Sequence, residues 1–326
     1  MKASNGINLW VLICFSVYLT IFAGCLSQDG RGRKIEELYL DCEGQRQFAP
    51  IFNNIYIEND LSYLGPERAE KFDLYGPADV DESGPFPAIV IIHGGGWQSG
   101  DKDRDRQKNI AINLARCGYV CMSINYVLAG EGNPSWPENL YDCKRAVQFL
   151  RKNAKRFKVD PDHIGVIGGS AGGHLAAMVG LTGPEVGLEP PGPYEGVSSR
   201  VQAVVPLYGV HNLITFDKQD NRSRCRKFLG AGRKENPQLW VFASPVNHIS
   251  ADDPPFLILH GTADKIVHYE QSIELHDKLR ESGIDSRLVI IEKAPHSFHL
   301  QPRRCDIRPL LVEFFDKHLK GKKGTE

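Results

Sequence analysis

One stretch limits what this chain can fold into more than any other. From Ile164 to Gly180 it reads Ile-Gly-Val-Ile-Gly-Gly-Ser-Ala-Gly-Gly-His-Leu-Ala-Ala-Met-Val-Gly. The apolar run Ile164, Val166 and Ile167 has the length and character of a buried strand, and Leu175, Met178 and Val179 follow at helical spacing. Between them Gly168, Ser170 and Gly172 fit G-x-S-x-G, a sharp strand-to-helix turn that lifts a serine hydroxyl above a sheet. Glycine two residues either side removes side chains that would clash where the chain doubles back. The glycines do not fit G-x-G-x-x-G and no Gly-Lys-Ser/Thr follows, which argues against a dinucleotide or phosphate loop.

Around that turn the chain alternates in kind. Ala88 to His93 is a continuous apolar run, typical of a strand covered on both faces. Tyr119 to Tyr126, Val201 to Tyr208, Phe256 to His260 and Arg287 to Ile291 read as further strands. Ile51 to Ile57 and Lys71 to Leu74 precede them, separated by a Gly65-Pro66 turn. Helices are predicted over Asn109 to Cys117, Leu140 to Phe157 and Glu270 to Arg280. A closing helix sets Leu310, Leu311, Phe314, Phe315 and Leu319 on one face. This alternation predicts an α/β fold with a mostly parallel central sheet and helices on both faces. His211 to Asn247, of mixed polarity and weak periodicity, is predicted to be a small cap-like insertion. Its basic run, Arg222 to Lys227, reads as solvated, as does the run of alternating sign from Asp101 to Arg106.

The composition, 41% hydrophobic and 24% charged, is ordinary for a globular chain, and 326 residues suffice for one large α/β domain or two small ones; the order of elements needs only one, placed at 49–320. A net charge of −1 gives no electrostatic case for nucleic acid. The N-terminus stands apart. Lys2 precedes an apolar stretch from Leu9 to Phe22, then Ala23-Gly24-Cys25 and a polar run. That order describes an export signal over residues 1–25, with 26–48 as a linker. Small-small-Cys at its end resembles a bacterial lipobox in which Cys25 would carry lipid and attach the protein to a membrane. Simple secretion, to periplasm or exterior, and an uncleaved anchor are the competing expectations. Cys117, Cys121 and Cys143 lie in apolar-periodic segments and read as small buried hydrophobes. No C-x-x-C pair and no H-E-x-x-H occurs, so neither metal nor other cofactor is expected.

A serine hydroxyl needs a base to act as a nucleophile near neutral pH. In this architecture the partners follow in the order Ser, Asp/Glu, His, each on a loop after a later strand. The strand Phe256–His260 runs into Gly261-Thr262-Ala263-Asp264, and the last strand runs into Lys293-Ala294-Pro295-His296. Ser170, Asp264 and His296 are therefore the candidate triad. Asp252 and Asp253 precede their strand and fall at the wrong edge. His299 is a competing base, while His260 and His174 read as structural hydrogen-bonding residues. The oxyanion donors are expected to be the N–H groups of Ala171, just after the serine, and of Gly95 and Gly96 in His93-Gly-Gly-Gly-Trp97. Trp97, Tyr126, Trp136 and Tyr208 are candidate pocket aromatics, with simple packing as the competing reading. An indole at Trp97 would shorten the acyl pocket, so turnover is expected to fall steeply beyond about four acyl carbons.

Four motifs carry a resemblance over about residues 70 to 318: His93-Gly-Gly-Gly-Trp97, Gly168-Gly-Ser-Ala-Gly-Gly-His-Leu-Ala176, His260-Gly-Thr-Ala-Asp264 with Val267, and Pro295-His-Ser-Phe298. Together they resemble exported α/β-hydrolase esterases, above all the bacterial bifunctional feruloyl and acetyl xylan esterases. Kynurenine formamidases and hormone-sensitive-lipase-type carboxylesterases are more distant relatives. The resemblance implies Ser170 as nucleophile, Asp264 as acid, His296 as base, and a short-chain or polysaccharide ester as substrate. Two departures fall near the expected pocket. Val127 stands where the relatives commonly have arginine, and His211-Asn212 where they often have an aspartate. A serine peptidase or arylformamidase on the same fold, and a non-catalytic binding module, remain as other classes.

Overall fold

The computed structural model describes residues 38–39, 47–78, 84–216, 222–301 and 305–321. The expected leader, with Cys25, and Cys42 lie outside these residues. Among the described residues nine strands form one sheet: β1 (Leu38–Tyr39), β2 (Ile55–Ser62), β3 (Lys71–Pro77), β4 (Phe86–Ile92), β5 (Val120–Ile124), β6 (Val159–Gly169), β7 (Ala203–Leu207), β8 (Phe256–Gly261) and β9 (Ser286–Ile291). Their order is β1-β9-β8-β7-β6-β4-β5-β3-β2. β2 and β3 pair antiparallel, as do β3 and β5, and every other pairing is parallel. Leu38 and Tyr39 pair with Val289 and Ile290. The sheet thus reaches back into the segment expected to be linker.

The long helices are α1 (Asp105–Ala115), α2 (Glu138–Lys152), α3 (Ala171–Leu181), α7 (Glu270–Glu281) and α8 (Arg308–Leu319). β4 shows why the sheet carries helices on both faces. All its residues are buried, and successive side chains point to opposite sides. Ile89 and Ile91 join a cluster with Ile110 and Leu114 of α1 and Phe315 of α8. Val90 and Ile92 join one with Val147 and Leu150 of α2 and Leu175 of α3. Cys117, Cys121 and Cys143 are buried free thiols, as expected. Pro161 lies inside β6. There the β4–β6 register shifts between Phe86 and Ala88, an irregularity of the kind that tolerates proline in a strand.

The run Asp101–Arg106 is not the solvated surface expected. α1 begins inside it, and Lys102 is buried with its ammonium 2.9 Å from both Asp60 and Asp73. Alternating charge in sequence does not reveal that one cation of the run turns inward to a buried carboxylate. The cap-like segment between β7 and β8 contains α4 (Leu213–Phe216), α5 (Arg222–Leu229) and α6 (Pro237–Phe242), with 217–221 outside the described residues. Phe228, Trp240 and Val246 anchor it to the core. Among the described residues no helix is long and apolar enough to cross a membrane.

Candidate active site

β6 ends at Gly169 and α3 starts at Ala171, leaving Ser170 alone at the turn with φ 58° and ψ −120°. Such a conformation costs roughly 1–3 kcal/mol for a residue with a side chain and has to be imposed by its surroundings. The glycines make it possible. A Cβ at Gly172 would lie 2.2 Å from the carbonyl oxygen of Ile92, and one at Gly168 would lie 2.2 Å from that of Gly172. The turn is so tight that only hydrogen fits at either position.

Ser170, Asp264 and His296 lie beyond the carboxyl ends of β6, β8 and β9, which run parallel and so deliver their loops to one edge. His296 Nε2 is 3.0 Å from Ser170 Oγ, and His296 Nδ1 is 2.6 Å from Asp264 Oδ2. With the proton on Nδ1 donated to the carboxylate, Nε2 is left to accept from the serine hydroxyl. Asp264 is fixed by four contacts. Its Oδ1 accepts from the N–H groups of Ile266 and Val267, each at 2.9 Å, and Oδ2 is shared by His296 and by His260 at 3.1 Å. Burial opposes ionisation of this carboxyl. The hydrogen bonds from His260 and His296 and the neighbouring histidine charge outweigh it and hold Asp264 well below the usual carboxylate range.

His260 is fully buried and also contacts Val267 O at 2.8 Å and Ser272 Oγ at 2.7 Å, which fits its expected structural part. His299 is exposed and makes no hydrogen bond to Ser170, whereas His296 does. Asp253 sits by Arg200 at the opposite end of β8. Burial raises its pKa to about 6.

The loop after β4 comes next to the serine. Gly94 stands so close that a Cβ there would meet Gly169 O at 2.7 Å and Ser170 Cβ at 3.3 Å. Gly95, at φ +130°, has its carbonyl occupied by the N–H groups of Gln98 and Ser99. The N–H groups of Gly95, Gly96 and Ala171 have no acceptor among the described residues. A cavity of about 480 Å³ opens here, lined among others by Gly94 to Gly96, Ser170, Tyr208 and His296.

The aromatics divide. Tyr208 lines the cavity, packed edge-on to His296 at 5.1 Å and to Phe298 at 4.8 Å. Burial raises its phenol to about 12. Trp97 does not line the cavity. Its φ of +60° turns the indole beneath the loop, where it stacks on Phe228 at 4.4 Å and donates to His174 Nδ1 at 3.3 Å. It therefore does not shorten the acyl pocket as expected. Tyr126 is also withdrawn, stacked on His93 at 4.3 Å with its hydroxyl donating to the His93 carbonyl. Trp136 packs against His174 and Phe228. At the two departures, Val127 N–H and Arg68 both donate to the buried Asp142, and His211 is buried away from the cavity.

Among the lining residues that sequence reasoning missed are three arginines. Arg104, Arg106 and Arg224 face the cavity, so the basic run Arg222–Lys227 is not wholly a solvated surface. Arg226 and Lys227 pair with Glu235 and Glu131, while Arg224 lies over the glycine loop, its Cδ 3.4 Å from where a Cβ of Gly96 would be.

The same fold recurs among known proteins. A truncated form of a carbohydrate esterase from gut microbiota superposes with a TM-score of 0.74 at 24% identity, covering 83% of this chain and 98% of that one. The fold is that of the α/β-hydrolases. The BD-FAE family model matches residues 72–279. The chain belongs to the BD-FAE family. The match takes in Ser170 and Asp264 and stops short of His296. This BD-FAE member is 33% identical over 260 residues to a probable carboxylic ester hydrolase, LipM, of Mycobacterium tuberculosis. The alignment covers 78% of this chain and 59% of LipM, so the chain spans less than two-thirds of that relative's length. Esterase 2 of the Planctomycetes species Thermogutta terrifontis has been solved with butyrate bound (30% identity, TM-score 0.61, 76% of this chain and 86% of that one). It has also been solved phosphonylated by sarin (27% identity, TM-score 0.65, 82% and 94%).

Proposed function

We propose that this BD-FAE member is a serine carboxylic-ester hydrolase that removes short acyl groups from small esters or acylated plant polysaccharides. One observation carries the reading: Ser170 Oγ, His296 and Asp264 form an unbroken hydrogen-bonded relay at 3.0 Å and 2.6 Å beside unpaired backbone N–H groups. Ser170 Oγ attacks the ester carbonyl carbon as His296 Nε2 takes its proton. The negative charge on the carbonyl oxygen meets the N–H groups of Ala171, Gly95 and Gly96. Aligned donors there are worth about 10²–10³ in kcat each. Collapse breaks the bond to the alcohol oxygen, which leaves with the proton from His296. Water, deprotonated by the same histidine, then releases the acid and restores Ser170. Asp264, anionic throughout, holds the imidazole tautomer and stabilises the imidazolium.

Ester-hydrolase relatives of this family, among them one that yields to sarin, support the serine mechanism. The leader-like N-terminus supports export, with Cys25 as lipid attachment point. The test is a panel of acetylated xylan, feruloylated sugars, p-nitrophenyl esters of increasing chain length, and matched amides. Ser170-dependent release of acetate or ferulate, with amides untouched, is the expected result. Cleavage of amides in preference to esters would replace the reading with a peptidase or formamidase.

A further inference from the structure

The charged side chains lining the cavity over Ser170 are all cationic, and they have no carboxylate partner among the described residues. Arg104 and Arg106 reach it from the start of α1, and Arg224 reaches it from α5. Among the described lining residues there is no carboxylate. Other cations nearby are neutralised: Lys102 by Asp60 and Asp73, Arg226 by Glu235, Lys227 by Glu131 and Lys108 by Asp103. None of the three cavity arginines has a carboxylate partner among the described residues. Arg106 also buries its Nε with no hydrogen-bond acceptor among those residues.

A buried guanidinium N–H without an acceptor is costly unless something fills the place. Guanidinium groups present fixed forks of donors that match carboxylate or phosphate geometry. A cleft lined by one sign of charge also concentrates ligands of the opposite sign. The three arginines arrive from two different segments and line the cavity that also holds Ser170. Arg224 lies against Gly96, one of the expected oxyanion donors, its Nη1 3.9 Å from where a Cβ of that glycine would be.

We propose that the natural substrate is an ester carrying an anionic group, a carboxylate such as that of an acidic sugar, which Arg224, Arg104 and Arg106 receive while Ser170 attacks the neighbouring ester. The proposal rests on the ester-hydrolase reading of the same cavity. It adds that turnover depends on substrate charge and that these arginines set the preference.

Two pairs of probes test it. The acyl-side pair is p-nitrophenyl hydrogen adipate and its methyl ester; the alcohol-side pair is 3-acetoxybenzoate and its methyl ester. Each is measured as kcat/KM, and the quantity read is the anionic-to-neutral ratio in each pair, corrected for uncatalysed hydrolysis. In wild type at about 20 mM ionic strength the ratio should favour the anion in at least one pair. It should fall severalfold by about 0.5 M salt, where the screening length drops to roughly 4 Å. The pair that responds tells which side of the ester bears the charge. Arg224→Gln should lower the ratio about tenfold, the triple change with Arg104→Gln and Arg106→Gln should lower it further, and Arg224→Lys should retain most of it. A ratio independent of salt in both pairs, or unchanged in the triple variant, overturns the proposal. The salt series needs only wild type, so it stands if the triple variant misfolds. Absence of Ser170-dependent hydrolysis of the neutral probes would instead count against the ester-hydrolase reading itself.

Discussion

The indole N–H of Trp97 donates to His174 Nδ1 at 3.3 Å, and the other nitrogen of that ring donates to the Ala243 carbonyl at 2.8 Å. A residue directly after the glycine loop is thereby tied, through the elbow helix, to the cap segment. His174 must be neutral to do this, since one nitrogen accepts while the other donates. Burial agrees, lowering its pKa to about 4.

Trp97→Ala should act on stability rather than on acyl preference. The side chain is buried and stacked on Phe228. Truncation of a buried tryptophan typically costs about 3–5 kcal/mol. Urea unfolding should report a loss of that order. The ratio of rates on acetyl and octanoyl esters in the remaining folded protein should stay close to wild type. A broadened acyl range with unchanged stability would put the indole back in the pocket.

His174 also makes a pH prediction. Its native pKa is lowered to about 4 from an ordinary 6.5, so between those values the unfolded chain binds the extra proton. Its contribution to stability is therefore full above about pH 6.5 and is lost as pH falls toward 4. His174→Gln can keep both hydrogen bonds without titrating. The stability advantage of wild type over this variant should shrink by about 2 kcal/mol between pH 7 and pH 5. Comparing the two proteins cancels opposing groups, such as Asp142, whose pKa burial raises to about 6. A difference that stays constant across this window would mean that His174 is not held neutral by burial.

Asp264→Asn preserves size but offers an amide to the His296 ring and loses the negative charge. Such a change in a serine triad costs about 10⁴ in kcat through the wrong tautomer. Steady-state kinetics on p-nitrophenyl acetate should show that loss with the fold intact by circular dichroism. A loss below tenfold would remove Asp264 from the relay.

The elbow and the triad were legible because their determinants are local. Glycine spacing at Gly168 and Gly172 reports a backbone collision, and Asp264 and His296 are each the first suitable side chain past a parallel strand. The aromatics were not legible. Trp97 follows the oxyanion loop directly, yet a positive φ, invisible in sequence, sends its ring the other way. Arg224 and Lys102 sit in charged runs that both read as solvated, but one comes to line the cavity and the other becomes a buried ion pair. Only tertiary contacts between distant segments decide which residue of a run does so.

Cys25 carries the prediction on targeting. If it bears lipid, fatty-acid labelling should mark the wild type, and Cys25→Ser should shift the protein from the membrane fraction to the soluble one or block its processing. Unlabelled wild type cleaved at another residue would leave plain secretion.

The central claim is that Ser170 is the nucleophile, activated by His296. Titration with a fluorophosphonate, followed by intact-mass and peptide mapping, tests it directly. The account predicts one adduct per chain, on Ser170, with ester turnover lost in proportion to labelling, and no adduct on Ser170→Ala. A folded wild type that takes no label, or takes it on another residue while hydrolysing esters, would contradict it.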